Sequence, residues 1–316
     1  MTDKIKVGVS SCLLGNKVRY DGGHKHDRYI TDILGRYFDF LPVCPEVECG
    51  LSIPRETMHL AGEIENPRLV TTKTGIDHTS RMIDFCKRRV KELEKENLCA
   101  FIFKKDSPSS GLYRVKVFGK AGQSQKKGRG MFAAALVDNF PLLPVEEEGR
   151  LHDAPLRENF IEKVFCYKRW QDFLNSAPDY KKLIDFHARH KLQLMAHSPK
   201  HLSQMGKLVA AGKKVPKQEL LDNYQASLLE AMDLKATVKK NVNVLYHIMG
   251  YFKKLISADE KAEMIRLIEN YHGQTVPLVV PLTLVNHFIR KYDIGYLENQ
   301  HYLEPHPAEL MLRNHV

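Results

Sequence analysis

The chain has 316 residues, 43% hydrophobic and 27% charged, with a net charge of +10 and a pI near 9.2. That length suits two domains, and that balance suits packed cores in a soluble globular protein. No stretch approaches 18 uninterrupted apolar residues and the opening residues carry no apolar leader, which excludes a membrane-spanning helix and predicts a cytoplasmic location.

In chain order, residues 6–10 (KVGVS) read as a short apolar strand, 27–37 as a helix and 38–43 (FDFLPV) as a second strand. An irregular stretch follows. Residues 79–97 form an amphipathic helix with Met82, Ile83, Cys86, Val90 and Leu93 on one face. Residues 99–103 (CAFIF) read as a buried parallel strand, and 113–118 as another strand. Residues 120–129 (KAGQSQKKGR) read as an exposed basic loop, 130–140 as a small-residue helix and 142–145 as a last strand. Alternating strands and helices predict an α/β domain over 1–157, with an open, mostly parallel sheet of the Rossmann or flavodoxin kind. From residue 158 helical periodicity takes over, with helices over 180–194, 199–211, 217–234, 236–255, 258–271 and 282–291. This predicts an all-α domain over 158–316. Residues 167–316 hold 21 Lys and Arg against 15 Asp and Glu, so the helical half carries a surplus of six positive charges. Such a surface suits RNA or DNA, and equally suits plain solubility.

Ligands of open parallel sheets sit beyond the carboxyl ends of the strands. Three loops meet that rule: Ser10-Ser11-Cys12, then Cys44-Pro45-Glu46-Val47-Glu48-Cys49, then Lys104 to Gly111 (KKDSPSSG). In a reducing compartment clustered cysteines point to metal or catalysis rather than to disulfides. Cys12, Cys44 and Cys49 suit a soft metal centre, or else are small buried hydrophobes, as free cysteines often are. Four-coordinate zinc normally takes four protein ligands. Three cysteines suit a [4Fe-4S] cluster with one open iron, leaving zinc as the less favoured alternative. Cys86, Cys99 and Cys166 read as core. A carboxylate beside a ligating cysteine, Glu46 or Glu48, can handle protons when burial raises its pKa. Arg19 and Asp21 reach towards the same crevice, and Arg55 suits an anionic group or an acid partner.

The segments VSSCLLGNKVRYDGG (9–23), VCPEVECGLSIPRE (43–56) and FKKDSPSSGLYRVKV (103–117) resemble the thiouracil desulfidase (TudS-like) family. The C-terminal half resembles the YbgA-like domain of unknown function. The resemblance implies a [4Fe-4S] cluster whose open iron removes sulfur from a thiolated pyrimidine (base, nucleoside or RNA) without redox change. It implies Cys12 and Cys44 as ligands, Glu46 as proton-handling acid and Ser107 near the substrate, with Ser109 and Ser110 beside it. One departure stands out. The family's third ligand lies in a Ser-Pro-Ser-Cys-Gly motif, and this chain has Ser110 there and a cysteine at 49. The expected third ligand is therefore Cys49. The competing expectation is a non-catalytic, metal-containing nucleic-acid-binding protein.

In the helical half, His187, His190, His197 and His201 read as a partly buried polar stripe rather than a metal site. Asn243, His247 and Tyr251 suggest a stripe lining a pocket between helices.

Overall fold

The computed structural model describes residues 4–119 and 122–315. Contacts divide the chain into two compact units, Met1–Asp153 and Ala154–Val316.

The first unit is α/β. Its main sheet is wholly parallel, in the order β2-β1-β5-β8, from β1 (Ile5–Ser10), β2 (Phe38–Val43), β5 (Ala100–Phe103) and β8 (Val145–Glu147). A second sheet has the order β4-β3-β6-β7, from β3 (Met58–Gly62), β4 (Pro67–Thr71), β6 (Val115–Phe118) and β7 (Ser124–Gly128). Three helices accompany them: α1 (Pro45–Glu48), α2 (Thr79–Leu93) and α3 (Met131–Asn139). α2 packs on α3, and Phe85, Phe101, Phe103 and Phe132 form one aromatic core. Gly8 is glycine because a Cβ there would stand 2.3 Å from the Phe101 ring.

Several expected elements differ. Residues 27–37 form a π-turn at Tyr29–Ile33 and a 3-10 turn at Leu34–Arg36, not a regular helix. Three β-branched residues and Gly35 lower the helix propensity there. The stretch read as irregular contains α1, β3 and β4. The strand expected at 113–118 begins at Val115 and belongs to the second sheet, not the parallel one. Within the basic segment, 124–128 is an edge strand pairing with β6, while Lys120 and Ala121 lie outside the described residues. Its charged, exposed side chains suit a sheet edge and conceal the strand from a hydrophobic pattern. The last strand falls at 145–147 rather than 142–145. Pro141 and Pro144 lack the N–H that a ladder needs.

The second unit is helical: α4 (Ala154–Asn175), α5 (Tyr180–His197), α6 (Pro199–Ala211), α7 (Lys217–Asp233), α8 (Val238–Phe252), α9 (Ala258–His272), α10 (Val279–Tyr292) and short α11 (Gly295–Glu298). α4 escapes the periodic reading because its buried face includes Glu162 and Lys163. One core gathers around Trp170, Phe186 and Tyr224, another around Phe252, Phe288 and Tyr302. The histidines are held by protein partners: His187 by the Tyr224 hydroxyl at 3.1 Å, His190 by Phe186 O at 2.7 Å, His197 by Leu234 O at 2.6 Å and His201 by Ser198 Oγ at 2.8 Å. Asn243, His247 and Tyr251 lie on an exposed face and line no described cavity, so the stripe expected between helices faces solvent instead. Among the described residues, no helix is long and apolar enough to cross a membrane.

A candidate active site at the strand ends

In the parallel sheet, β1 lies between β2 and β5, so successive connections leave it in opposite directions and open a crevice at the strand ends. Register brings the loops together. Ser10 of β1 pairs with Val43 of β2, and Val9 with Ile102 of β5. Cys12 and Cys44 thus stand just beyond paired strand ends. Cys12 sits in a 3-10 turn, Ser11–Leu14, closed by Gly15 in the left-handed region at φ 92°. Cys44 is the N-cap of α1, and Pro45 fits its first turn.

The third loop is held by its neighbours. Ser107 Oγ accepts from the Ser109 and Ser110 N–H groups at 3.3 and 3.1 Å. The carbonyls of Pro108 and Ser109 in turn accept from the first N–H groups of α3, at Met131, Phe132 and Ala133. This contact is so close that a Cβ on Gly130 would meet Ser109 O at 2.5 Å.

These loops enclose a cavity of about 340 Å³ lined by Cys12, Arg19, Cys44, Glu46, Arg55, Lys104, Ser107 and Ser110, among others. Cys12 and Cys44 are each 9% exposed. Burial pushes the Cys12 thiol up to about 11, against the pull of Lys104, and pushes Cys44 up to about 12, with Glu46 adding to the rise. Glu46 is the hub. Its Oε1 accepts from Ser109 Oγ at 2.6 Å, its Oε2 accepts from the Cys44 thiol at 3.6 Å, and Arg55 Nη2 stands 4.0 Å from Oε2. Ser109 is fully buried, and its hydroxyl also lies 3.0 Å from Ser107 Oγ and 3.3 Å from Ser110 Oγ. The result is a chain of hydroxyls ending on one carboxylate beside a thiol.

The structure thus brings Cys12, Cys44, Glu46, Arg19, Ser107 and Ser110 to one cavity, with Ser109 directly behind Glu46. It does not bring Cys49 or Asp21 there. The Cys49 thiol donates to Glu46 O at 3.2 Å and does not line the cavity. Asp21 makes a turn, its Oδ1 accepting from Gly23 N–H at 2.9 Å, a bond that lowers its pKa. Glu48 also turns away. It accepts from Cys44 N–H at 2.7 Å and pairs with Arg89 Nε at 3.2 Å. Cys86, Cys99 and Cys166 are buried. Sequence reasoning passed over Lys104, which lines the cavity and pairs with buried Glu148. The strand-end rule put Lys104 in the third loop without giving it a role, and the same rule applied to β8 would have found Glu148.

The N-terminal half, residues 7–148, matches the family model 2-thiouracil desulfurase, and residues 191–307 match a domain family of unknown function, DUF1722. The chain is 30% identical over 136 residues to uncharacterized protein YbgA of Escherichia coli (strain K12), covering 42% of this chain and 79% of that protein. It is 29% identical over 136 residues to uncharacterized protein YbbK of Bacillus subtilis (strain 168), covering 40% of this chain and 87% of that protein. Among solved structures, a [4Fe-4S]-dependent thiouracil desulfidase, TudS, is 31% identical, covers 48% of this chain and 95% of its own, and superposes with a TM-score of 0.39.

Proposed function

We propose that this chain, which belongs to the YbgA family and carries a 2-thiouracil desulfurase domain in its N-terminal half, replaces the sulfur of a thiolated pyrimidine with oxygen in the cavity of that domain. The observation that carries this reading is the buried Cys12–Cys44 pair with Glu46 locked beside it by Ser109.

The donor set suits an iron–sulfur cluster at two positions: Cys12 and Cys44 are soft, buried thiols on one cavity. Among the described residues, no three histidine, cysteine or acidic side chains are gathered around one point. The third donor is therefore a matter of side-chain choice. Cys49 closes the short helix that Cys44 opens, and its thiol would have to leave Glu46 O to serve as a ligand. Ser110 already lines the cavity with a hydroxyl. We assign Cys49, because thiolate is the donor that cluster iron prefers. Cys12, Cys44 and Cys49 would hold a [4Fe-4S] cluster, which would supply a Lewis-acidic iron.

The chain's own residues do the rest. A water oxygen bonds to the ring carbon as the carbon–sulfur bond breaks. Of water's two protons, Glu46, fixed by Ser109, takes one and passes it to the departing sulfur, which leaves as hydrosulfide, and the other goes to solvent. The Ser107 and Ser110 hydroxyls orient the ring edge. Arg19 and Lys104 present positive charge to an oxygen or phosphate of the substrate.

Anaerobic reconstitution followed by iron and sulfide analysis, then sulfide release from 2-thiouracil, a thiolated nucleoside and thiolated RNA, tests the proposal. Iron with broad visible absorbance and release from at least one substrate is the expected result. Zinc in place of iron, or an intact cluster with no release from any of the three, overturns it and leaves a binding protein. For the third ligand, Cys49→Ala should lose iron and Ser110→Ala should keep it. Retained iron in the Cys49 variant refutes that assignment.

A further inference from the structure

At the end of β8 stand three consecutive glutamates, Glu146, Glu147 and Glu148, none more than 7% exposed. Carboxylates are almost never buried so fully without partners. Glu146 is a local brace, its Oε1 accepting from the Glu147 N–H at 2.9 Å and from Arg150 Nε at 2.7 Å. Glu147 and Glu148 reach further, to the loop 104–113 that carries the serines of the cavity.

Glu148 holds the start of that loop. Its Oε1 accepts from Lys104 Nζ, and its Oε2 accepts from the Lys105 N–H at 2.8 Å. Its own N–H donates to Phe103 O at 3.1 Å. Glu147 holds the end. Its Oε1 accepts from both the Leu112 and the Tyr113 N–H groups, at 2.8 and 3.0 Å. Ser107, Ser109 and Ser110 lie between the two anchorages, on a stretch with no helix or strand of its own. Adjacent carboxylates at one strand end thus fix both ends of the loop whose middle supplies the Ser109–Glu46 bond at 2.6 Å.

Ionised acceptors suit this task, because their hydrogen bonds are shorter and stronger than those to neutral groups. The Lys104 ammonium offsets the charge of Glu148, and the two side chains are only 15% and 10% exposed. Lys104 lines the cavity, and its backbone N–H donates to Ser10 Oγ at 2.9 Å, which ties the loop start to the strand that leads to Cys12. We propose that Glu147 and Glu148 are positioning residues for the desulfuration. Glu148 places Lys104 and the start of the serine loop, Glu147 places its end, and together they hold Ser109 against Glu46. This role rests on the desulfuration reading of the same cavity.

The two carboxylates are used differently, and they should answer differently to the same change. Glu148 commits each oxygen to its own donor. In Glu148→Gln one of those donors meets an amide NH₂ instead of an acceptor, so the loop start is released. Glu147 gives a single oxygen to both N–H groups, and Glu147→Gln can keep that oxygen in place. Glu147→Leu has a similar shape and removes it. Glu147→Gln should therefore cost clearly less than Glu147→Leu or Glu148→Gln.

The test is sulfide release from 2-thiouracil by the full chain after anaerobic reconstitution, expressed per bound iron and read well below each variant's melting temperature. Glu148→Gln and Glu147→Leu should each lower it by about tenfold or more, the order of loss that a misplaced reacting group brings. Ser109→Ala removes the bond that the two carboxylates support. Adding Glu148→Gln to it should therefore cost less than Glu148→Gln costs in the parent chain. A role in folding alone would lower iron loading or melting temperature and leave release per iron unchanged; that result overturns the proposal, as do fully additive losses with Ser109→Ala. If Glu148→Gln does not load iron, the Glu147 pair decides, and equal losses in its Gln and Leu variants overturn the proposal. A parent chain that holds iron and releases no sulfide refutes the desulfuration itself, and this role with it. Parental release with unchanged variants refutes the positioning role alone.

Discussion

At the scale of single residues, the first unit depends on Glu46 and the second on Glu158. Glu46 touches Ser109 and the Cys44 thiol, and no other carboxylate described here stands between a buried hydroxyl and a candidate ligand. Glu46→Gln keeps the shape and removes the proton carrier. It should lower sulfide release by about 10²-fold or more, the range typical of a lost general base, with iron content unchanged; a parallel loss of iron would make Glu46 a structural group. Glu158 offers a pH prediction. Its folded-state pKa, about 7, lies above the ordinary carboxyl value of 4.5 because it is buried. The folded unit therefore binds more protons than the unfolded chain between those values, and stability falls as pH rises from about 5 to 7. Glu162 shifts the opposite way, so its contribution is lost only at acid pH, as carboxyls of ordinary pKa begin to protonate. In thermal melts, Glu158→Gln should flatten the decline between pH 5 and 7. A slope identical to that of the parent chain would show that Glu158 is not the titrating group.

At the scale of elements, caps and close approaches set local stability. α9 begins with a complete capping box, Ser257 Oγ accepting from Glu260 N–H at 3.2 Å and the Glu260 carboxylate accepting from Ser257 N–H at 2.8 Å. Ser257→Ala should cost about 1 kcal/mol in denaturant unfolding. The α3 N-terminus behaves differently, being capped by loop carbonyls rather than a side chain. Gly130→Ala forces a Cβ against the Ser109 backbone, and the disturbance passes straight into the Ser109–Glu46 bond. It should therefore reduce sulfide release more than its loss of stability accounts for, read as activity at a temperature well below unfolding.

At the scale of the whole molecule, the helical unit has buried cores of its own, around Trp170 and around Phe252. A fragment covering 154–316 should fold alone and unfold in one cooperative, helical transition followed by circular dichroism. A fragment without cooperative unfolding would mean that the helical unit needs the first one to form.

Much of this was legible in one dimension. The continuous apolar run Phe101–Ile102–Phe103 and the strand KVGVS announce a buried parallel sheet, because strands covered on both faces need no alternation. The cysteines at 12 and 44 follow such strands directly, so a topological rule was enough to place them together. The amphipathic helices of the second half show their 3.6-residue period openly. Other features left no such trace. β7 is exposed along most of its length, and its Lys-rich residues carry no apolar signal. α4 buries Glu162 and Lys163, which a binary pattern assigns to solvent. The direction of a side chain is decided by its neighbours in space, and this separates Cys49 from Cys44, Glu48 from Glu46 and Asp21 from Arg19. Sequence alone thus determined which loops meet, since parallel strands joined by crossovers bring their carboxyl ends to one edge of the sheet. Only tertiary packing decided which of their side chains face the cavity, and which partners leave Glu46 beside a thiol, because hydrogen bonds and burial depend on distances the linear chain does not contain.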